Sequence, residues 1–142
     1  MVQKMKNYLY TSLIFILLLL IQGYSILSAQ DLNLFRAAQA KRIAGQYEAA
    51  IIEYSKVIAD SPNYAIAIAE RGYCYSNLKL YDYALQDLNK AILKGFSDPL
   101  AYLNRGWAKY NLGAKGEACI DWQMAEQLGY QNAQKLLNEY CN

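Results

Sequence analysis

The chain has 142 residues and a hydrophobic share of 55%, enough for one domain with its own core. Its formal charge of +2 comes from Lys4 and Lys6, because the other 12 Lys and Arg balance 12 Asp and Glu that all lie after residue 30. A near-neutral folded part has no basic patch to neutralise phosphates, which excludes a nucleic-acid partner. The lack of histidine removes both the usual base of a hydrolase triad and half of the usual zinc ligands.

Residues 1–29 read as an export signal. Lys4 and Lys6 form a charged start, Leu13 to Ile21 is an unbroken apolar run, and Gly23, Ser25, Ser28 and Ala29 supply small residues before Gln30. The run alone is too short to span a bilayer. Tyr8 to Ala29 nearly reaches the roughly 20 residues a spanning helix needs, so an uncleaved N-terminal anchor is the alternative. Residues 30–142 are expected beyond the inner membrane, in the periplasm or secreted, or anchored and facing the periplasm.

The remainder repeats at an offset of 34 residues. Ala38, Gly72 and Gly106 recur at that step, as do Ala50, Ala84 and Ala118; Val57, Ala91 and Ala125; Tyr54, Leu88 and Trp122; and Glu53, Asp87 and Asp121. Within a unit the apolar spacing is helical, as in Ile68, Gly72 and Tyr75 followed by Ala84, Leu85, Leu88, Ala91 and Ile92. Breakers stand at Gly45, Ser61-Pro62-Asn63, Gly95, Ser97-Asp98-Pro99, Gly113 and Gly129. The predicted helices are 32–44, 47–59, 65–78, 81–94, 99–112 and 115–128, in repeats of about 31–64, 65–98 and 99–130. A seventh, 131–140, carries Ala133, Leu136, Leu137 and Tyr140 as an apolar stripe and caps the last open face.

These positions resemble the tetratricopeptide repeat family, most closely in the middle unit with Gly72, Tyr75, Tyr81, Ala84, Leu88 and Ala91. The third unit has Lys115 where a tyrosine recurs, and the first is degenerate at Leu34, Ala38 and Lys41. The resemblance implies an all-α, right-handed superhelix of three antiparallel helix-turn-helix repeats plus a C-terminal capping helix. It is similar to small exported bacterial members that also end in a capping helix and a terminal cysteine.

Cys119 and Cys141 lie eleven residues either side of Tyr130, and such positions come level in an antiparallel hairpin. A disulfide between them is the expectation; two free thiols are the alternative if the side chains diverge. Three cysteines without close pairs do not make a metal site, and no cofactor is expected. Cys74, beside Gly72, reads as a small core residue.

No catalytic group is expected, because the carboxylates do not converge. Glu53, Asp87 and Asp121 are expected along the solvated outer face with Lys56 and Lys90 as helix-surface partners, and Arg71 and Arg105 as structural residues. What remains is a surface. In the family the first helix of each unit lines the concave face, which implies a binding set of Phe35, Gln39, Arg42, Tyr73, Asn77, Leu103, Trp107, Tyr110 and Asn111, flanked by Leu32, Ile66, Ala69 and Leu100. Phe35, Tyr73 and Trp107 either meet a ligand or pack against neighbouring units. Members that grip a chaperone's C-terminal carboxylate do so with cations and asparagines; the matching positions here are Phe35, Gln39, Glu70, Leu100 and Asn104, and no cationic clamp survives. The function this implies is an exported interaction module or scaffold binding a peptide or partner subunit in its groove. The alternative is a membrane-anchored subunit that self-associates. The sequence leaves the oligomeric state open.

Overall fold

The helices form where the register of 34 places them, and each ends for a local reason. The computed structural model describes residues 10–14 and 28–141, so the expected export signal falls largely outside the described residues. Three hairpins follow: α1 (Ala29–Ile43) with α2 (Tyr47–Asp60), α3 (Ala65–Asn77) with α4 (Tyr81–Leu93), and α5 (Pro99–Asn111) with α6 (Lys115–Gln127). The cap is α7 (Ala133–Tyr140). No strand occurs among the described residues, and no helix there is long and apolar enough to cross a membrane.

α1 begins earlier than its apolar pattern suggests because Ser28 caps it. Ser28 Oγ accepts from the Asp31 amide at 3.0 Å, and Asp31 returns a carboxylate to the Ser28 amide at 3.1 Å, satisfying two of the helix's free donors. Asp98 caps α5 in the same sense, accepting from the Leu100 amide at 2.7 Å, with Pro99 at a first-turn position where its missing N–H costs nothing. Gly45 and Gly113 end the first helices of repeats one and three in the left-handed region, at φ 75° and 92°. At the matching place in repeat two stands Lys79, at φ 60°, a conformation that is disfavoured for a residue with a Cβ.

Each first helix packs on its own second helix and on the second helix of the preceding repeat, and consecutive first helices touch, α1 with α3 and α3 with α5. The result is a superhelix in which α1, α3 and α5 form the inner layer. Small residues recur where these layers meet: a Cβ on Gly72 would lie 2.9 Å from Leu88 Cγ, and one on Gly106 would lie 2.6 Å from Trp122 Cδ1. Ala50, Ala84 and Ala118, and Val57, Ala91 and Ala125, are wholly buried. At the C-terminal end Ala133 and Leu137 of α7 are buried and Leu136 and Tyr140 half-buried against Trp107, Tyr110 and Trp122. Cys119 and Cys141 are joined in a disulfide with their Cα atoms 5.8 Å apart, which ties the end of α7 to α6.

The recurring acids do not form a solvated outer face, and here the sequence expectation is corrected. Asp87 and Asp121 are buried, 4% and 2% exposed. Arg71 forks onto Asp87 at 2.7 and 2.8 Å and reaches Ser55 Oγ at 3.0 Å. Arg105 repeats this 34 residues on, holding Asp121 at 2.9 and 2.6 Å and Asn89 at 3.0 Å. Each arginine therefore ties its own repeat's second helix to that of the preceding repeat, a bidentate geometry that lysine cannot supply. Lys109 adds a further contact to Asp121 at 3.0 Å. The first repeat has Ala37 in place of the arginine, and Glu53 takes Lys41 at 2.7 Å and Lys56 at 3.0 Å instead.

Candidate binding surface

Three asparagines anchor a cleft on the inner layer. Asn77, at the end of α3, donates from Nδ2 to the Tyr73 carbonyl at 2.8 Å; Asn104 and Asn111 of α5 donate to Leu100 and Trp107 at the same distance. Each bond spends one amide hydrogen on the carbonyl a turn earlier. That fixes which amide atom is nitrogen and leaves Oδ1 as an acceptor for something else. With Ser76, Tyr81 and Trp107 these side chains surround a cleft of ≈ 160 Å³. None of the six lining residues is charged, so the cleft offers hydrogen-bonding groups and an aromatic wall without selecting for an ion.

The wall is held firmly. The Trp107 ring meets Trp122 edge-on at 5.0 Å, Tyr140 at 5.4 Å and Tyr110 at 6.1 Å, geometries that add to the burial of the rings themselves. Trp122 is fully buried and its Nε1 donates to the Leu103 carbonyl at 3.3 Å. Lys115 lies over the Tyr110 ring, 5.3 Å from its centroid, so this lysine covers an aromatic face in the repeat that lacks the expected tyrosine.

The proposed binding set therefore divides. Asn77 and Asn111 are exposed, and Trp107 and Tyr110 are half-buried at the C-terminal half of the inner layer. Gln39 and Arg42 are half-buried in the first repeat. Phe35, Tyr73 and Leu103 are 6%, 7% and 8% exposed, so for Phe35 and Tyr73 the packing alternative holds. Phe35 sits 5.7 Å from the Tyr54 ring and 5.2 Å from Tyr64, so it is core, and Ala69 of the flanking set is likewise buried. Ser76, Tyr81 and Asn104 complete the cleft although the sequence reading did not place them in the binding set. Asn104 and Ser76 lie 34 residues from Glu70 and Tyr110, and following every inner-layer position through the repeat would have found them.

Arg42, the cation of the proposed set, is already engaged. Arg42 Nε stands 2.6 Å from Glu70 Oε2, close enough for an ion pair although its N–H is not aimed along a hydrogen bond. Tyr54 donates to the same carboxylate at 3.4 Å. Burial holds the Glu70 carboxyl above its ordinary range against the pull of Arg42. Cys74 is wholly buried, and burial pushes its thiol up to about 12, which makes it inert and not a nucleophile. Among the described residues no group of acids and cysteines could hold a metal.

No family model matches the chain. The small glutamine-rich tetratricopeptide repeat-containing protein 2 of Saccharomyces cerevisiae is 36% identical over 87 residues, 61% of this chain and 25% of that protein. The chain spans a quarter or less of the length of the curated relatives it matches. Among solved structures, the first TPR of Spaghetti (RPAP3) bound to the HSP90 peptide SRMEEVD superposes with a TM-score of 0.75 at 26% identity, over 83% of this chain and 96% of that one. The second TPR of the same protein, bound to the same peptide, gives 0.66 at 30% identity, over 70% and 93%. By its repeat, its fold and these likenesses, the chain belongs to the tetratricopeptide repeat family.

Proposed function

We propose that the chain is an exported protein-interaction module that holds an extended peptide, or a segment of a partner subunit, along its inner layer. The observation that carries this is the uncharged cleft with its three helix-anchored asparagines beside Trp107. Carboxamides whose donors are partly spent at home present acceptors to a backbone N–H, and a fixed aromatic wall supplies contact area. Structural neighbours in complex with peptides support the same use of the fold. The reading differs from theirs in the chemistry of the ligand: Arg42 is taken up by Glu70 within the inner layer, and no lysine or arginine lines the cleft to hold an acidic peptide end. Export is supported by the apolar run ahead of α1 and by a disulfide suited to an oxidising compartment.

The test starts from a displayed random-peptide library selected on the disulfide-intact protein. An enriched peptide should lose about tenfold in affinity when Asn104 and Asn111 are both replaced by alanine, as expected for two hydrogen bonds of roughly 0.5–1.5 kcal/mol each. Unchanged affinity in the double variant would dismiss the cleft. Tyr73→Ala and Trp107→Ala are unsuitable, since one removes a buried ring and the other a member of the aromatic cluster.

The alternative, self-association through the first repeat, is favoured by one observation. Asn33 and Ala40 of α1 are exposed, whereas their repeat equivalents Ala67 and Ala101, and Cys74 and Ala108, are fully buried under the preceding repeat. Light scattering on the eluting protein decides it: a dimer that Ala40→Glu converts to monomer supports this reading, and a monomer at all concentrations removes it.

A further inference from the structure

The capping helix does more than cover core. Between α5, the α6–α7 turn and α7 lies a pocket of ≈ 400 Å³, within the range of about 300–1,000 Å³ typical of ligand pockets. Leu103 and Leu136 supply apolar surface and Trp107 and Tyr130 aromatic surface, while Asn132, Lys135 and Glu139 are the polar members and are exposed. One residue, Trp107, lines both this pocket and the asparagine cleft, so the two depressions are neighbours separated by a single indole.

We infer that this pocket is an anchor site that takes one large apolar side chain, of leucine or phenylalanine size, from a peptide whose adjacent backbone crosses Asn104 and Asn111. The inference rests on the peptide-binding reading above. Its argument is chemical: apolar and aromatic walls favour an apolar occupant, and the single lysine and single glutamate, one helical turn apart on α7, leave no net charge to select an ionic one. The shared wall makes occupation of the pocket continuous with occupation of the cleft. An aromatic or aliphatic anchor seated in such a pocket is where binding energy concentrates in an interface.

The disulfide builds the pocket. α7 spans only Ala133–Tyr140 and supplies Leu136 as well as Lys135 and Glu139. Its last residue, Tyr140, lies against Trp107, and the next, Cys141, is bonded to α6. Without that bond a helix of eight residues is held only by the burial of Ala133 and Leu137 and by the Tyr140 ring contacts, which loosens the Leu136 wall and removes one of the three ring contacts that orient Trp107.

N-Acetylphenylalaninamide and N-acetylalaninamide are the probes, titrated into the isotope-labelled protein. The phenylalanine amide is expected to shift the Trp107 indole, Asn132 and Leu136 signals saturably, and the alanine amide to leave them in place. Leu136→Ala and the Cys119→Ser/Cys141→Ser pair should each weaken the phenylalanine probe at least fivefold, whereas Lys135→Ala should change it less than twofold. A loss on Lys135→Ala comparable to that on Leu136→Ala would point to an ionic ligand and overturn the proposal. So would equal response to both amides, or binding indifferent to the disulfide. If the probe fails while a selected peptide still moves Asn104 and Asn111, the anchor is refuted and the groove stands. If the probe binds and no peptide does, the pocket stands and its place in a longer peptide site is refuted.

Discussion

Replacing Gly106 by alanine should destabilise the protein even though alanine is the better helix former. Gly106 lies inside α5, where the exchange alone would gain about 1 kcal/mol. A Cβ there would come 2.6 Å from Trp122 Cδ1 and 3.1 Å from Cε2, well inside the roughly 3.5–4.0 Å that carbon atoms prefer. The indole cannot yield: it is fully buried, lies 5.0 Å from the Trp107 ring and 5.7 Å from Tyr110, and donates to Leu103. Overpacking of this kind costs about 1–3 kcal/mol, and loss of the indole hydrogen bond about 1 more. The net loss is about 1–3 kcal/mol, or roughly 4–12 °C in melting temperature for a domain of this size. Circular dichroism at the helix band measures it, with two internal comparisons. At Gly72 the contact would be with Leu88 Cγ at 2.9 Å, a longer approach than that at Gly106, so alanine there should cost less, about 0–2 kcal/mol. At Gly116 a Cβ meets nothing within 4 Å, and alanine should gain up to about 1 kcal/mol. A Gly106→Ala protein that melts at or above the parent would refute the packing argument.

Lys79→Gly should stabilise by about 1 kcal/mol, because glycine occupies φ 60° without the Cβ penalty that lysine carries; chemical denaturation reads the gain, and a loss would mean the lysine side chain is needed at that turn. Asp121→Ala should cost about 3 kcal/mol, since it takes the buried carboxylate from Arg105 and Lys109 and leaves them only Asn89 and the exposed Glu117, whereas Glu53→Gln should cost under about 1 kcal/mol near neutral pH. Lys41 and Lys56 hold the Glu53 carboxyl below its ordinary value. Its contribution is therefore complete above that value and lost as pH falls through the depressed one, so the Gln variant should flatten the acid limb of the stability curve; an identical acid limb would contradict the pairing. Reduction of the disulfide, which closes a loop at separation 22, should cost about 3 kcal/mol in the chain-entropy account, seen as a lower urea midpoint with reductant than without.

Much of the architecture was legible because a 34-residue step repeats at positions that are small for one reason only, close helix contact. Gly72 and Gly106 meet Leu88 and Trp122, which are themselves 34 apart. The Cys119–Cys141 link followed from counting outward from Tyr130, since hairpin geometry is local. The acids were misread because the repeat gives register along the chain and not the partner across it: Asp87 and Asp121 answer arginines 16 residues earlier, on a different helix. The burial of the inner-layer positions was only half legible for a related reason. An inner-layer position is exposed or buried according to the size of its neighbours, and Tyr54 and Tyr64 close over Phe35, whereas Asn77 and Asn111, at the ends of their helices, stay open.

The central claim, that the inner layer is a peptide-binding face, is tested most directly by the NMR footprint of a library-selected peptide on the labelled, disulfide-intact protein. The account predicts that the side-chain amides of Asn77, Asn104 and Asn111 and the Trp107 indole move together and saturate with one affinity. Shifts confined to exposed residues of the second helices, such as Ile52, Gln86 and Ile120, would contradict it.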